Sequence, residues 1–171
     1  MSAPPPAEVL VSVGTDHHRF DRLVRWADAW VQRHPEVRVL VQHGASTPPA
    51  HADGQAFLAS DDLRAALAGA TVVVSHGGPA TIMDARAAGH LPIVVPRDPA
   101  LGEHVDGHQQ RFSRWMAERG QVLLATDEVN LGRRIDAALA DPATVAVDPS
   151  TGDVAASVAR FTALVDALLA D

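Results

Sequence analysis

The sequence predicts a single three-layer α/β domain built on a parallel β-sheet. Short, valine-rich apolar runs alternate with longer stretches of helical period, the pattern of successive βαβ units. Two of these runs end in glycine turns that lead straight into a helix. The composition, 47% hydrophobic and 20% charged over 171 residues, is that of an ordinary soluble globule. A chain of this length is expected to build one core rather than two.

Residues 1–7 have neither a positive stretch nor an apolar one, so they read as a disordered leader ahead of a domain over 8–171. Val9 to Val13 is the first strand, and Phe20 to Arg33 the first helix, with Phe20, Leu23, Val24, Ala27 and Val31 on one face. Val37 to Gln42 is the second strand. A loop from Gly44 to Gly54 follows, then a short edge strand at Ala56 to Ala59. Asp61 and Asp62 open a helix that runs to Ala68, their acids lying at its positive end. Thr71 to Ser75 and Pro92 to Val95 are strands flanking a helix at Pro79 to Ala88. After a long loop at Arg97 to Gly107, a helix at Gln109 to Arg119 leads to a strand at Gln121 to Leu124. Helices at Asp127 to Ala140 and Val154 to Ala170 complete the pattern, the last well amphipathic. Strands of four to six residues, rich in valine throughout, are those covered on both faces.

The net charge is −7, every basic residue is an arginine, and none cluster beyond Arg133 and Arg134. A protein held to DNA or RNA by phosphate neutralisation needs a basic stripe, so nucleic acid is not an expected partner. The absence of cysteine excludes disulfides, thiolate nucleophiles and cysteine-ligated zinc, and suits a reducing cytoplasm. No window approaches the roughly 18 consecutive apolar residues that cross a bilayer.

The strongest local signal is VVVSHGGPATIMDARAAGH at 72–90: an apolar strand, a two-glycine turn, then Pro79 in the first helical position. Gly77 and Gly78 allow close backbone approach, and the helix start presents unpaired N–H groups and about half a positive charge, which suits a diphosphate. The same residues also fit a plain strand-to-helix turn with Ser75 or Thr81 as cap and Asp84 complementing the dipole. No lysine completes a Walker A loop, and the glycine spacing is not that of a dinucleotide site. On the phosphate reading, Gly78→Val abolishes nucleotide binding and leaves the fold largely intact. A second glycine turn, VSVGTDHH at 11–18, also follows a strand, so both turns open on one carboxyl-end crevice. Asp16, His17 and His18 supply a candidate base or sugar contacts there. Of these His17 is the candidate catalytic residue, with a helix N-cap at Asp16 and solvated histidines as the alternative. The loop LGEHVDGHQQ at 101–110 gathers Glu103, His104, Asp106, His108 and Gln109, polarity suited to sugar hydroxyls. His104 and His108 are four apart, but Gly107 interrupts a helix there and no HExxH pattern occurs, so no metal site is expected.

In this order the three segments resemble the C-terminal, donor-binding half of glycosyltransferase family 28, over nearly the whole chain and most narrowly its free-standing half-enzymes. The resemblance implies a Rossmann-like fold that forms one half of a GT-B glycosyltransferase. Gly14, Thr15 and the run His76, Gly77, Gly78, Pro79, Ala80 and Thr81 then surround the donor diphosphate. Asp84, where a related enzyme carries glutamate, holds the ribose. His108 and Gln109 contact the transferred sugar, with Glu103 and His104 beside them. The implied reaction is inverting transfer from a UDP-sugar to a lipid-linked acceptor, in polysaccharide or glycolipid synthesis, with no cofactor and no essential metal. A separate membrane-associated subunit is implied as the acceptor half and the source of the general base, recruiting this chain to the inner membrane face. Two other classes fit the residues: a non-catalytic nucleotide-binding module, and a stand-alone hydrolase using Asp16, His17 and His104.

Overall fold

The computed structural model describes residues 6–149; the helix expected at Val154 to Ala170 and the first five residues of the leader lie outside them. Among the described residues six strands form one sheet: β1 (Val9–Ser12), β2 (Val39–Gln42), β3 (Asp53–Gln55), β4 (Val72–His76), β5 (Ile93–Val95) and β6 (Leu123–Leu124). Their order is β3-β2-β1-β4-β5-β6 and every pairing is parallel. The chain therefore starts in the middle, winds outward to β3, and returns to place β4 beside β1. Val9 to Ser12 of β1 face Val39 to Gln42 on one side and Val72 to Ser75 on the other.

Among the described residues five α-helices cover the sheet: α1 (Asp21–Arg33), α2 (Ser60–Gly69), α3 (Pro79–Ala87), α4 (His108–Glu118) and α5 (Glu128–Ala140). Because side chains alternate along a strand, Val9, Val11, Val39, Val41, Val72 and Val74 meet α1 and α5 on one face. Leu10, Leu40 and Val73 meet α2 and α3 on the other, beside a smaller cluster of Ile82, Val94, Met116 and Val122. Each fully buried side chain of this size contributes about 1.5–3 kcal/mol. Trp30, outside the predicted apolar stripe of α1, is 2% exposed, with its indole N–H donating to Asp136 of α5 at 2.9 Å.

Two expectations need correction. Ala7, assigned to the leader, is 7% exposed and packs against the core. The edge strand is Asp53–Gln55 and not Ala56 to Ala59: its three residues are exposed and pair with β2 through backbone alone, so no apolar pattern marks them. The loop from Gly44 to Gly54 is fastened to α1. The Asp28 carboxylate of α1 accepts from the N–H groups of Ala50, His51 and Ala52 at 2.7–3.0 Å, and Asp21 accepts from Thr47 N–H.

Candidate functional site

Strand order reverses between β1 and β4, and at such a switch point the loops leaving the two strands part to form a crevice. Gly14 leaves β1 and Gly77 and Gly78 leave β4, so both glycine turns open there. Between them sits His76, the last residue of β4, 8% exposed. A Cβ on Gly14 would lie 2.4 Å from its ring and one on Gly78 2.2 Å. The φ of Gly14, +81°, is a second reason for glycine there. A Cβ on Gly77 would meet Ser113 Oγ at 2.6 Å and Gln109 Cβ at 2.8 Å. All three glycines are thus required by the protein's own packing. This corrects the expectation that Gly78→Val spares the fold.

Burial pushes the His76 imidazole down to about 4, helped by the Arg97 charge, so the ring is neutral at pH 7. The unfolded ring, near 6.5, takes up a proton first as pH falls, so stability is lost between pH 6.5 and about 4. The full linkage is about 3 kcal/mol. Urea midpoints measured across that range fall for the wild type and fall less steeply for His76→Asn; parallel slopes would place the proton uptake elsewhere.

Helix α3 begins with Gly78 as N-cap and Pro79 as its first residue. Ile82 is the first residue to return its N–H into the helix, to Gly78 O at 3.2 Å, so the N–H groups of Ala80 and Thr81 point out of its end. Pro79 and Ala80 are exposed and Thr81 half-buried. Asp84 is exposed one turn on, lining a groove of about 430 Å³ with Ser60, Leu63 and Leu67 of α2. Thr15 is exposed beside Gly14.

Arg97 organises the other side, and its role was not legible in the sequence. It is 0% exposed, and its guanidinium donates to Val13 O at 2.7 Å, His18 O at 2.7 Å and Glu103 O at 2.9 Å. One side chain after β5 thereby fastens the loop after β1 to the loop before α4. Glu103, expected at the sugar, is buried and held by Arg22 through both oxygens at 2.9 and 2.7 Å, with Asp98 N–H also donating to it. Its carboxylate braces the loop. Gln109 is buried as well, and its Oε1 accepts from Gly77 N–H at 3.1 Å and Arg97 N–H at 3.3 Å. Both partners are donors, which fixes the amide orientation and leaves its NH₂ group as the available end.

The titratable groups meet above this frame. Asp16 Oδ1 accepts from the His18 N–H at 2.7 Å and lies 2.6 Å from His18 Nδ1. Asp16 Oδ2 faces His104 Nε2 at 3.7 Å. Burial alone would raise the Asp16 carboxyl, but the His18 hydrogen bonds and the Arg97 charge outweigh it and hold it below its usual range. Asp106, held low chiefly by the His108 N–H, lies 3.5 Å from His104 and 3.6 Å from exposed His108. The side chain of His17 is 87% exposed and that of His18 23%. The ligand atoms of Asp16, His17 and His18 fall within 4.8 Å of one another, the group among the described residues that could close on a metal ion.

Comparison with known proteins gives three concordant findings. The model of the "Glycosyltransferase family 28 C-terminal domain" matches residues 8–151. The chain is 32% identical over 126 residues to the UDP-N-acetylglucosamine--N-acetylmuramyl-(pentapeptide) pyrophosphoryl-undecaprenol N-acetylglucosamine transferase of Verminephrobacter eiseniae (strain EF01-2), covering 67% of this chain and 33% of that one. The protein of the same name from Ralstonia nicotianae (strain ATCC BAA-1114 / GMI1000) is 35% identical over 106 residues, covering 62% and 26%. The chain thus spans about a third or less of these relatives' length. Among solved structures, Acinetobacter baumannii MurG superposes with TM-score 0.55 at 17% identity over 84% of this chain and 44% of that one. The kitacinnamycin glycotransferase gives 0.60 and the calicheamicin glycosyltransferase CalG4 0.58, each at 18% identity over 84% of this chain and 38% of theirs. These likenesses show a Rossmann-like α/β fold shared with one half of GT-B glycosyltransferases.

Proposed function

Since the chain belongs to the glycosyltransferase family 28 C-terminal domain family over residues 8–151, we propose that it is the donor-binding half of an inverting glycosyltransferase that uses a UDP-sugar. The observation that carries this reading is the pair of glycine turns after β1 and β4, locked together by His76 at the switch point and next to the open end of α3. Gly14, Thr15, Gly78, Pro79, Ala80 and Thr81 border the diphosphate, His76 and Gly77 support that border from within, and Asp84 holds the ribose. His104, His108 and the Gln109 amide face the sugar, on a loop that Glu103 keeps in place. The names of the curated relatives, which specify UDP-N-acetylglucosamine and a pyrophosphoryl-undecaprenol acceptor, support a nucleotide-sugar donor and a lipid-linked acceptor.

The chemistry follows from the frame. Negative charge develops on the leaving diphosphate, and backbone N–H groups already aimed at it stabilise that charge by about 3–4 kcal/mol each, so the step needs no metal. We place the acceptor on a separate, membrane-associated chain that closes the crevice and draws this one to the cytoplasmic membrane face, in polysaccharide or glycolipid synthesis. Leu101 and Val105, 61% and 75% exposed on the loop above the crevice, offer apolar contacts for it. No helix among the described residues is long and apolar enough to cross a membrane.

Thermal-shift titration with uridine, guanosine, adenosine and thymidine diphosphates, each with and without a chelator, tests the donor site. A saturating ligand at a hundred times its Kd adds about 2.7 kcal/mol, or roughly 5–10 °C in Tm for a chain of this size. The expected result is a UDP-selective shift that the chelator leaves unchanged. No shift with any nucleotide would defeat the donor-site reading, and binding without sugar transfer once the acceptor chain is added would make this a non-catalytic module.

A further inference from the structure

We propose that Asp16, His17 and His18, on the loop after β1, and His104, on the loop after β5, form a site for a divalent transition ion of the zinc class, which clasps the two loops together. The Asp16 carboxylate is its centre. Asp16 Oδ1 lies 2.6 Å from His18 Nδ1 and 3.7 Å from His17 Nδ1, and Asp16 Oδ2 lies 3.7 Å from His104 Nε2. Around a tetrahedral ion with bonds of about 2.0–2.1 Å the ligand atoms stand about 3.3–3.4 Å apart, a spacing these three separations straddle. Imidazole nitrogens with one carboxylate are a donor set for zinc, copper or nickel, whereas calcium and magnesium call for more oxygens. Imidazole binds such an ion in its neutral form, so the Nδ1 proton that His18 shares with Asp16 moves to Nε2 as the ion takes its place.

The surroundings supply what a metal ligand needs behind it. His104 Nδ1, on the far side of the ring from Asp16, lies 3.5 Å from Asp106 Oδ1. With an ion on Nε2 this nitrogen carries the proton, and in place of the 3.4 Å bond it accepts from the Asp106 N–H it donates to that carboxylate. A carboxylate in this position orients a metal-bound imidazole, and Asp16 and Asp106 together offset the charge of the ion. The rings of His18 and His104 are 6.1 Å apart between centroids, so the two loops already meet here. Arg97 joins the same loops from beneath, through His18 O and Glu103 O, and the ion adds an outer tie to that inner one. It takes no part in sugar transfer, where charge is stabilised by backbone N–H groups, and the site stands whether or not a UDP-sugar fills the crevice.

Calorimetric titration of the full chain with Zn²⁺, in the absence of nucleotide, tests the site. Saturable binding of one ion per chain is expected, undisturbed by about a thousandfold excess of Mg²⁺. His17→Ala and His104→Ala should each weaken it at least about 10-fold, and Asp106→Asn by about 10-fold through the lost outer contact. The side chain of His17 is 87% exposed, so its removal should leave the metal-free Tm within about 2 °C of wild type and separate lost binding from lost folding. His51→Ala, at an exposed histidine on the loop before β3, should leave the affinity unchanged. Because the ion joins two loops, Zn²⁺ should slow amide hydrogen exchange over residues 14–19 and 101–107 together. No saturable binding, or an affinity that none of the three site variants alters, would overturn the proposal. Binding that His104→Ala leaves intact, with protection confined to 14–19, would overturn the clasp as well, reducing it to two neighbouring histidines on one loop.

Discussion

Replacing Arg97 with leucine is expected to be the most damaging single change in the site, lowering stability by about 3–5 kcal/mol. The guanidinium is 0% exposed and satisfies the carbonyls of Val13, His18 and Glu103. Leucine removes all three donors at once and leaves buried acceptors bare, each costing about 1–3 kcal/mol. It also leaves Glu103 and Arg22 without the loop geometry they brace. At about 2–4 °C per kcal/mol for a chain of this size, Tm should fall by roughly 10 °C, with UDP binding lost. Lysine should not rescue, because one ammonium cannot reproduce a planar fork spread over three carbonyls. A Tm within about 2 °C of wild type for Arg97→Leu would show the loops to be held by other contacts.

The second large effect is a coupling between positions 76 and 78. Gly78 has an ordinary φ of −76°, so alanine there is unwelcome only for want of space: its Cβ would lie 2.2 Å from the His76 ring. Gly78→Ala should therefore cost about 1–3 kcal/mol through overpacking, and His76→Ala about as much through the space it empties. In the double variant the new methyl group enters the vacated space, so the combined loss should be smaller than the sum by at least about 1 kcal/mol. Urea unfolding of the four proteins gives the coupling directly. Strict additivity would mean that ring and turn relax independently, and that the two glycine turns are not held as one unit.

How much of this was legible in the sequence depends on where each signal lies. The buried strands were, because Val9 to Val13 and Thr71 to Ser75 are apolar on both faces, and the structure confirms β1 and β4 to within a residue. The exposed edge was not: Asp53–Gln55 is a strand only because β2 offers it hydrogen bonds. Within the site, the glycines were found, though with only part of their reason, since steric conflict with a histidine 62 residues further on leaves no local trace at Gly14. Glu103 and Arg22 are 81 residues apart, so a carboxylate in a polar loop read as a sugar contact when it is an internal brace. Arg97 was passed over for the same reason. A buried charge has no periodicity, and only the three carbonyls that surround it explain it.

The outer edges of the sheet limit how this molecule can join another. Among the described residues β3 has three residues, all exposed and one of them Asp53, and β6 has two. An incoming strand would find almost no ladder to extend and a carboxylate along one of the margins, which is how proteins discourage edge-to-edge growth. At these edges assembly by strand addition is disfavoured, and with it the easiest route to uncontrolled polymerisation. What remains for a lasting association is side-chain complementarity on helices and loops, where recognition is specific to one partner rather than open to any extended peptide.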